Sequence, residues 1–165
     1  MKVAVISDIH DNIWNLKKAL KLIKKASIET AIFCGDYCAP TSLFEAVEPF
    51  KRAFCVWGNV DGEKYMATKI ICKNNFKNVE LLGDFGEIEL DDKKVAIVHN
   101  PDVAKYVAES DKFDAVFFGH THEYFNEKIS ETLLANPGEV MGRKGEATFG
   151  MWDTKLNEME KVIIK

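Results

Sequence analysis

The sequence is short of the features that mark secreted, zinc-finger and membrane proteins. Its four cysteines include no CxxC pair and no zinc-finger spacing, so neither a disulfide framework nor a structural zinc site is indicated. The apolar run VAVI at residues 3–6 is much shorter than the core of a signal peptide, and nothing approaches a membrane span. We therefore expect a reduced, cytoplasmic protein that does not enter a membrane.

The sequence also lacks an excess of positive charge. The sequence has 22 lysines and arginines against 26 aspartates and glutamates, which gives a formal charge of −4. This balance argues against a broad nucleic-acid surface. It is compatible with a small positively charged site inside an acidic protein.

The length and composition predict one globular domain over residues 1–165. A domain usually contains about 100–200 residues, and a chain of this size buries enough surface to fold without a disulfide or a metal. The hydrophobic fraction of 47% and the aromatic fraction of 11% lie in the globular range. A disordered or fibrous chain is excluded.

The first half of the sequence alternates strand and helix patterns. Apolar runs at residues 2–7, 30–34 and 52–57 predict buried strands. Apolar residues at helical spacing predict helices over 13–23 and 41–50, between those strands. This alternation is typical of βαβ units and a largely parallel sheet.

The second half changes character. The runs at residues 85–90 and 93–98 flank the turn-prone Asp91-Asp92 and predict a hairpin. A helix over 102–112 and a strand over 114–118 follow, and then four strand-like runs continue to the carboxyl terminus. We expect an α/β fold with a mostly parallel first sheet, a more antiparallel second sheet and helices outside.

Polar clusters follow the predicted strands of the parallel part. They are Ser7-Asp8-Ile9-His10, Gly35-Asp36, Gly58-Asn59-Val60-Asp61, His99-Asn100 and Gly119-His120-Thr121-His122. All four histidines of the chain lie in these clusters. Because ligands bind beyond the carboxyl ends of strands in open α/β sheets, we expect the clusters to meet in one crevice. In the last cluster, the alternate imidazoles of an extended segment would point the same way and could share a metal.

The side chains of these clusters predict a metal centre. The candidate ligands are Asp8, His10, Asp36, Asn59, His99, His120 and His122. This mixed nitrogen and oxygen set suits Mn, Fe, Ni, Co or Zn rather than Ca. The set exceeds the needs of one tetrahedral ion, which implies two ions about 3.5–4 Å apart with one carboxylate shared. Two divalent ions and two aspartates leave a net positive centre, which suits a phosphate ester.

In their combination and order, these motifs resemble those of the calcineurin-like metallophosphoesterases. The whole chain, with Asn136-Pro137-Gly138 near its end, is similar to the small YfcE-type phosphodiesterases of that superfamily. The resemblance implies a four-layer fold, in which two facing mixed β-sheets are flanked by helices. It also implies a metal-bound hydroxide that attacks phosphorus in line.

The resemblance assigns the ligands to two ions. Asp8, His10 and His122 would hold the first ion, and Asn59, His99 and His120 the second. Asp36 would be shared between the ions. Asp36, Asn59 and His120 are the ligands that we also predict to be catalytic. Mn²⁺ is the first choice of metal, with Ni, Fe, Co and Zn as alternatives.

The sequence departs from the pattern of the family at two places. Many members have a histidine after the Gly-Asn pair as a general acid, whereas this chain has Val60, so Asp61 is expected to serve as a turn or helix-cap residue. The motif of His99 continues with Asn100-Pro101 instead of glycine, and the proline can begin a helix. Glu139 and Arg143 could reach the site, but we expect both at the surface.

We therefore predict an enzyme that hydrolyses small phosphodiesters with two divalent ions. Two alternatives stay open at this point. One is a protein-interaction scaffold on the same fold, which need not keep a complete ligand set. The other is a phosphomonoesterase with the same metal centre and a different pocket. Whether the protein forms a homo-oligomer also stays open.

Overall fold

Two mixed β-sheets form the centre of the protein in the computed structural model, which describes residues 1–73 and 76–165. The strands of the first sheet are β1 (Lys2–Ile6), β2 (Thr30–Phe33), β3 (Arg52–Cys55), β4 (Val79–Leu81), β10 (Thr148–Asp153) and β11 (Glu158–Ile163). The strands of the second are β5 (Phe85–Leu90), β6 (Lys93–Val98), β7 (Ala115–Phe117), β8 (Tyr124–Ile129) and β9 (Thr132–Pro137). The helices are α1 (Ile13–Lys25), α2 (Pro40–Val47), α3 (Lys64–Lys73) and α4 (Pro101–Ala108).

Each sheet combines a parallel centre with antiparallel margins. In the first sheet the order is β11-β10-β1-β2-β3-β4, and β1 to β4 run parallel while β10 and β11 are antiparallel. In the second sheet the order is β5-β6-β7-β9-β8, and only β6, β7 and β9 are parallel. The carboxyl ends of the parallel strands carry the polar clusters.

Period-two alternation along the central strands builds the layers. In β1, Val3 and Val5 point to the second sheet, whereas Ala4 and Ile6 pack toward the helices. Successive side chains of a strand face opposite sides of the sheet. A strand that is apolar throughout therefore packs against a hydrophobic core on each face. Helices α1, α2 and α3 cover the first sheet, and α4 covers the second. The result is the predicted four-layer arrangement of two facing sheets with helices outside.

Most of the predicted elements are confirmed. The three strands and two helices of the first half are present, and the hairpin pairs Leu90 with Lys93 around Asp91 and Asp92, both at positive φ. The helix after His99 begins at Pro101 and is capped by the Asn100 side chain, but it ends at Ala108, earlier than predicted.

The structure differs from the sequence prediction in the number of elements and in the pairing of the last strands. The sequence prediction missed α3 and the short β4, because α3 buries only Ala67 and Ile71 and so shows little apolar periodicity. The last two strands, β10 and β11, extend the first sheet rather than the second. Strand pairing between distant segments leaves no mark in local periodicity, so the sequence could not reveal this.

None of the helices in the described part of the chain combines the length and the apolar character that crossing a bilayer requires.

Two of the cysteines serve as small buried hydrophobic residues. Cys34 lies between the two sheets, and Cys55 lies in the core beneath the helices. Burial raises the pKa of the Cys55 thiol to about 12, as expected for a cysteine that serves only packing.

The contact between the sheets gives a first testable prediction. The Trp152 ring is fully buried and meets the Phe117 ring of the facing sheet at a centroid distance of 5.1 Å. We expect Trp152→Ala to lower the free energy of unfolding by about 3–5 kcal/mol, because it leaves a cavity between the sheets. Trp14→Ala is the matched control. Its ring is 78% exposed, and we expect a change within about 0.5 kcal/mol.

Urea unfolding followed by circular dichroism measures both variants. Equal losses of stability in the two variants would contradict the proposed packing between the sheets.

Candidate metal centre

The polar clusters of both sheets meet at one edge of the protein. One direct link between the sheets is a hydrogen bond of 2.7 Å, which the His99 Nδ1–H donates to the Cys34 carbonyl oxygen. The Gly119 N–H also bonds to the carbonyl oxygen of His99. These contacts bring the ends of β2, β6 and β7 together, so the predicted crevice is present.

The first group of side chains contains Asp8, His10 and His122. Asp8 Oδ1 lies 3.6 Å from His10 Nε2 and 3.3 Å from His122 Nε2. The two imidazole rings are stacked with their centroids 4.9 Å apart. Asp8 is fully buried, and its other oxygen accepts hydrogen bonds from the Ser7 hydroxyl and the His120 N–H. Only Oδ1 therefore remains free to face the two imidazoles.

The second group contains Asn59, His99 and His120. Asn59 Oδ1 lies 3.0 Å from His99 Nε2 and 2.7 Å from His120 Nδ1. The His99 and His120 rings meet edge to face, with their centroids 5.2 Å apart. His99 is buried and His120 is exposed, so this group lies at the mouth of the crevice.

Asp36 lies between the two groups. Its Oδ2 is 3.4 Å from His10 Nε2 and 3.3 Å from His99 Nε2. Its Oδ1 accepts a hydrogen bond of 3.0 Å from the Val60 N–H. One oxygen of this carboxylate is thus held by the backbone, and the other faces imidazoles of both groups.

These side chains fit divalent metal ions. Within the described part of the chain, Asp8 Oδ1 and His10 Nε2 are buried atoms without a hydrogen-bond partner, although unpaired buried polar atoms are costly. Metal bonds of about 2.0–2.2 Å place neighbouring ligand atoms roughly 3–3.5 Å apart, close to the separations described here. Two sets of donors, Asp8 with His10 and His122 and Asp8 with Asp36 and His99, each lie within 4.8 Å of one another.

The backbone is adapted to this crowding. A Cβ atom at Gly119 would lie 2.1 Å from Ser7 Oγ and 2.9 Å from Asp8 Oδ2, so only glycine fits there. Five of the candidate ligands have φ between 45° and 71°: Asp8, His10, Asp36, His120 and His122. This left-handed conformation is unfavourable for residues with a side chain and is typical of functional sites.

The carboxylates and imidazoles shift the pKa values of one another. The neighbouring Asp8 carboxylate raises the pKa of His10 above its ordinary value, and burial opposes this effect. Burial lowers the pKa of His99, but the hydrogen bond and the charge of Asp36 outweigh burial, and the pKa is raised overall. Burial favours a higher pKa for Asp36, yet His99, the Val60 N–H and His10 together lower it. In the protein alone, the positive charge of protonated imidazoles thus offsets the negative charge of the buried carboxylates.

His120 and His122 do not point the same way, contrary to the prediction for an extended segment. Both residues have positive φ, so the chain turns at each of them and does not continue as a strand. The His120 ring contacts the second group, whereas the His122 ring contacts the first. The two imidazoles therefore do not face a common point.

Asp61 has the predicted turn role. Its carboxylate accepts hydrogen bonds from the N–H groups of Asp36, Tyr37, Cys38 and Gly58. Burial raises its pKa, and these N–H groups oppose that effect. Asp61 is buried, and both of its carboxylate oxygens accept hydrogen bonds from backbone N–H groups. It therefore holds the loop of Asp36 and does not face the crevice. Val60, in contrast, is 41% exposed.

The expectation that Glu139 lies at the surface is wrong. Glu139 is fully buried, and its Oε2 lies 2.7 Å from His122 Nδ1. Its Oε1 accepts hydrogen bonds from the N–H groups of Lys144 and Gly145. The signal that could have revealed it is its position, since Glu139 follows the buried strand β9 as the other clusters follow theirs. Arg143 is exposed, as expected.

Comparison with known proteins relates this centre to phosphoesterases. Residues 1–157 match the model of the calcineurin-like phosphoesterase superfamily domain. The chain is 32% identical to phosphodiesterase MJ0936 of Methanocaldococcus jannaschii, over the full length of both proteins. Among solved structures, an archaeal phosphodiesterase shares a TM-score of 0.88 and 32% identity, with 99% of each chain covered.

A more distant structure shares the fold alone. The phosphoesterase YfcE of E. coli has a TM-score of 0.69 and 18% identity, and each chain is covered completely. The family match spans nearly the whole chain and includes every candidate ligand. The chain therefore belongs to the calcineurin-like phosphoesterase superfamily, a family of metal-dependent hydrolases.

Proposed function

We propose that this protein is a phosphodiesterase that uses two divalent metal ions to hydrolyse small phosphodiesters. The observation that carries the proposal is the convergence of two imidazole groups on the free oxygen of Asp36. Asp8, His10 and His122 would hold one ion, Asn59, His99 and His120 the other, and Asp36 both. The ions would supply an activated water, since bound metals lower the pKa of water from 15.7 to about 7, and would offset phosphate charge.

The residues of the chain prepare the site for that chemistry. Asp36 Oδ1 is anchored by the Val60 N–H, so its Oδ2 is kept in place between the two groups. Because the His99 Nδ1–H is bonded to the Cys34 carbonyl oxygen, Nε2, which faces Asp36 and Asn59, is the nitrogen that could hold an ion. His120 is exposed at the mouth, where it can contact a bound substrate. These positions support the catalytic roles of Asp36, Asn59 and His120.

The substrate class follows from the relatives and from the crevice itself. The relative with 32% identity over its full length is named a phosphodiesterase, and we extend that activity to this chain. The acidic composition, with a formal charge of −4, favours a small diester over a long nucleic acid. A donor set without thiolate favours Mn²⁺, with Ni, Fe, Co or Zn as alternatives.

Metal removal tests the proposal directly. Exhaustive chelation should reduce hydrolysis of an aryl phosphodiester to background, because the protein offers no activated nucleophile without an ion. Mn²⁺ should restore the rate. The measurement is the release of the phenol, with elemental analysis to verify that the chelated protein is free of metal. Activity that persists in verified metal-free protein would contradict the mechanism.

The shared position of Asp36 gives a second test. Asp36→Asn removes a charge that faces both groups, whereas Asn59→Ala alters one group only. We expect Asp36→Asn to bind fewer ions and to lose more activity than Asn59→Ala. The loss should exceed about 100-fold, since even residues behind the ligands contribute 10–100-fold. Elemental analysis of the purified variants and initial rates provide the comparison. An Asp36→Asn variant with two ions and a near-native rate would refute the shared role.

The exposed side chain of Val60 gives a third test, because it cannot donate a proton to the leaving oxygen. A positioned general acid typically contributes about 10²–10⁴-fold. Across a series of aryl phosphodiesters, we therefore expect the rate to fall steeply as the pKa of the leaving phenol rises. Single-turnover kinetics should establish that the chemical step is measured.

Val60→His is the informative variant for this series, and Val60→Thr controls for a polar group of similar size. We expect the histidine to reduce the slope and the threonine to leave it unchanged. A wild-type rate that does not depend on the phenol would show that another group donates the proton.

A further inference from the structure

Glu139 is a buried charged group that the candidate ligand set does not include. Its side chain is fully buried beneath the crevice. Oε2 lies 2.7 Å from His122 Nδ1, and Oε1 lies 2.6 Å and 3.0 Å from the backbone nitrogens of Lys144 and Gly145. Because burying an unpaired charge is costly, all three contacts need hydrogen on the partner atom.

The contact with His122 determines where the imidazole carries its proton. An ionised carboxylate can only accept hydrogen bonds, so His122 must carry hydrogen on Nδ1. Its Nε2 then has a free lone pair, and this nitrogen faces Asp8 Oδ1 at 3.3 Å. A ligating histidine needs this arrangement, with the outer nitrogen donating to an acceptor and the inner nitrogen free.

Two of the other imidazoles, those of His99 and His10, have neutral groups at the corresponding place. His99 Nδ1 contacts the Cys34 carbonyl oxygen, and His10 Nδ1 lies 3.6 Å from the Cys38 sulfur. In the part of the chain that the structure describes, His122 alone has an acidic side chain against its outer nitrogen. A carboxylate there increases the basicity of the imidazole more than a carbonyl group does.

The negative charge is consequently unequal between the two groups. The first group contains the Asp8 carboxylate, and the Glu139 carboxylate lies on the other side of the His122 ring. The second group has the neutral amide of Asn59 at the place that corresponds to Asp8. Asp36 contacts both groups and does not alter the difference.

We infer that Glu139 is a positioning residue that holds the His122 proton on Nδ1 and makes the Asp8, His10 and His122 group the tighter of two ion sites. This inference rests on the proposed function, because it requires that both groups bind ions. Glu139 would act through His122 and is not itself a candidate ligand.

Calorimetric titration with Mn²⁺ tests the difference between the sites. Metal-free wild-type protein should bind two ions in a tighter and a weaker step. We expect Glu139→Gln to weaken the tighter step about 10–100-fold and to change the weaker step little. The reason is that an amide carries no charge and can donate to Nδ1 as well as accept from it. Asn59→Ala should affect the weaker step instead, which identifies the two steps.

Asp114→Asn is the matched control, because it also converts a carboxylate with a backbone partner into an amide. Asp114 accepts the Lys94 N–H at 2.8 Å and precedes β7 at the end opposite the crevice. Both steps should be unchanged in this variant. Equal losses in Asp114→Asn and Glu139→Gln would reduce Glu139 to a general structural role and overturn the inference.

A spectroscopic measurement tests the proton position without metal and without a variant. Nitrogen-15 NMR of the imidazoles in metal-free protein at about pH 8.5, above the ordinary histidine pKa of about 6.5, should show His122 with hydrogen on Nδ1. Hydrogen on Nε2 with none on Nδ1 would overturn the inference even if Glu139→Gln failed to fold. If the wild-type protein binds two ions and Glu139→Gln binds them equally well, the inference is overturned and the proposed function stands. Wild-type protein that binds no ion would overturn the proposed function as well.

Discussion

The structure depends on the burial of two carboxylates, Asp8 and Asp36, at the ends of neighbouring parallel strands. Both are almost inaccessible to solvent, and burial of an uncompensated charge is among the most costly features that a fold can contain. The surrounding groups provide the compensation: hydroxyl and N–H donors take one oxygen of each carboxylate, and imidazoles face the other. The glycines and left-handed residues of the crevice exist because these groups must approach one another closely.

This compensation also explains why the centre suits a metal-dependent hydrolase. In the protein alone, the pKa values of His10 and His99 are raised and the pKa of Asp36 is lowered. These shifts show that the charged carboxylates and the protonated imidazoles stabilise one another. A divalent cation would supply positive charge at the same place and would satisfy the unpaired atoms Asp8 Oδ1 and His10 Nε2. The same buried negative charge that the imidazoles offset is what would attract an ion.

Backbone hydrogen bonds anchor the loops where ions would bind, whereas the mouth of the crevice is exposed. Asp61 holds the Asp36 loop through four backbone N–H groups, and Glu139 holds the loop after β9. In contrast, Val60 and His120 are exposed at the mouth. Val60 and His120 could therefore be changed without disturbing the buried carboxylates.

Much of the fold and of the candidate site could be predicted from the sequence. The strands β1, β2 and β3 are apolar on both faces, which is the pattern of strands buried between two layers, and the structure confirms them. The candidate ligands could be found because each follows such a strand. Helix α3 could not be predicted, because it packs through few apolar residues and its periodicity is weak.

The sequence by itself determined the types of the candidate ligands and their positions at strand ends, because both depend on local pattern. Tertiary structure alone decided which side chains face one another. The opposite directions of His120 and His122 depend on backbone angles that neighbouring strands impose. The place of β10 and β11 in the first sheet depends on pairing between distant segments. The role of Glu139 depends on the packing of the β9 end against the first sheet, which converts an expected surface residue into a buried partner of His122. Such contacts join residues far apart in the chain, and no local pattern encodes them.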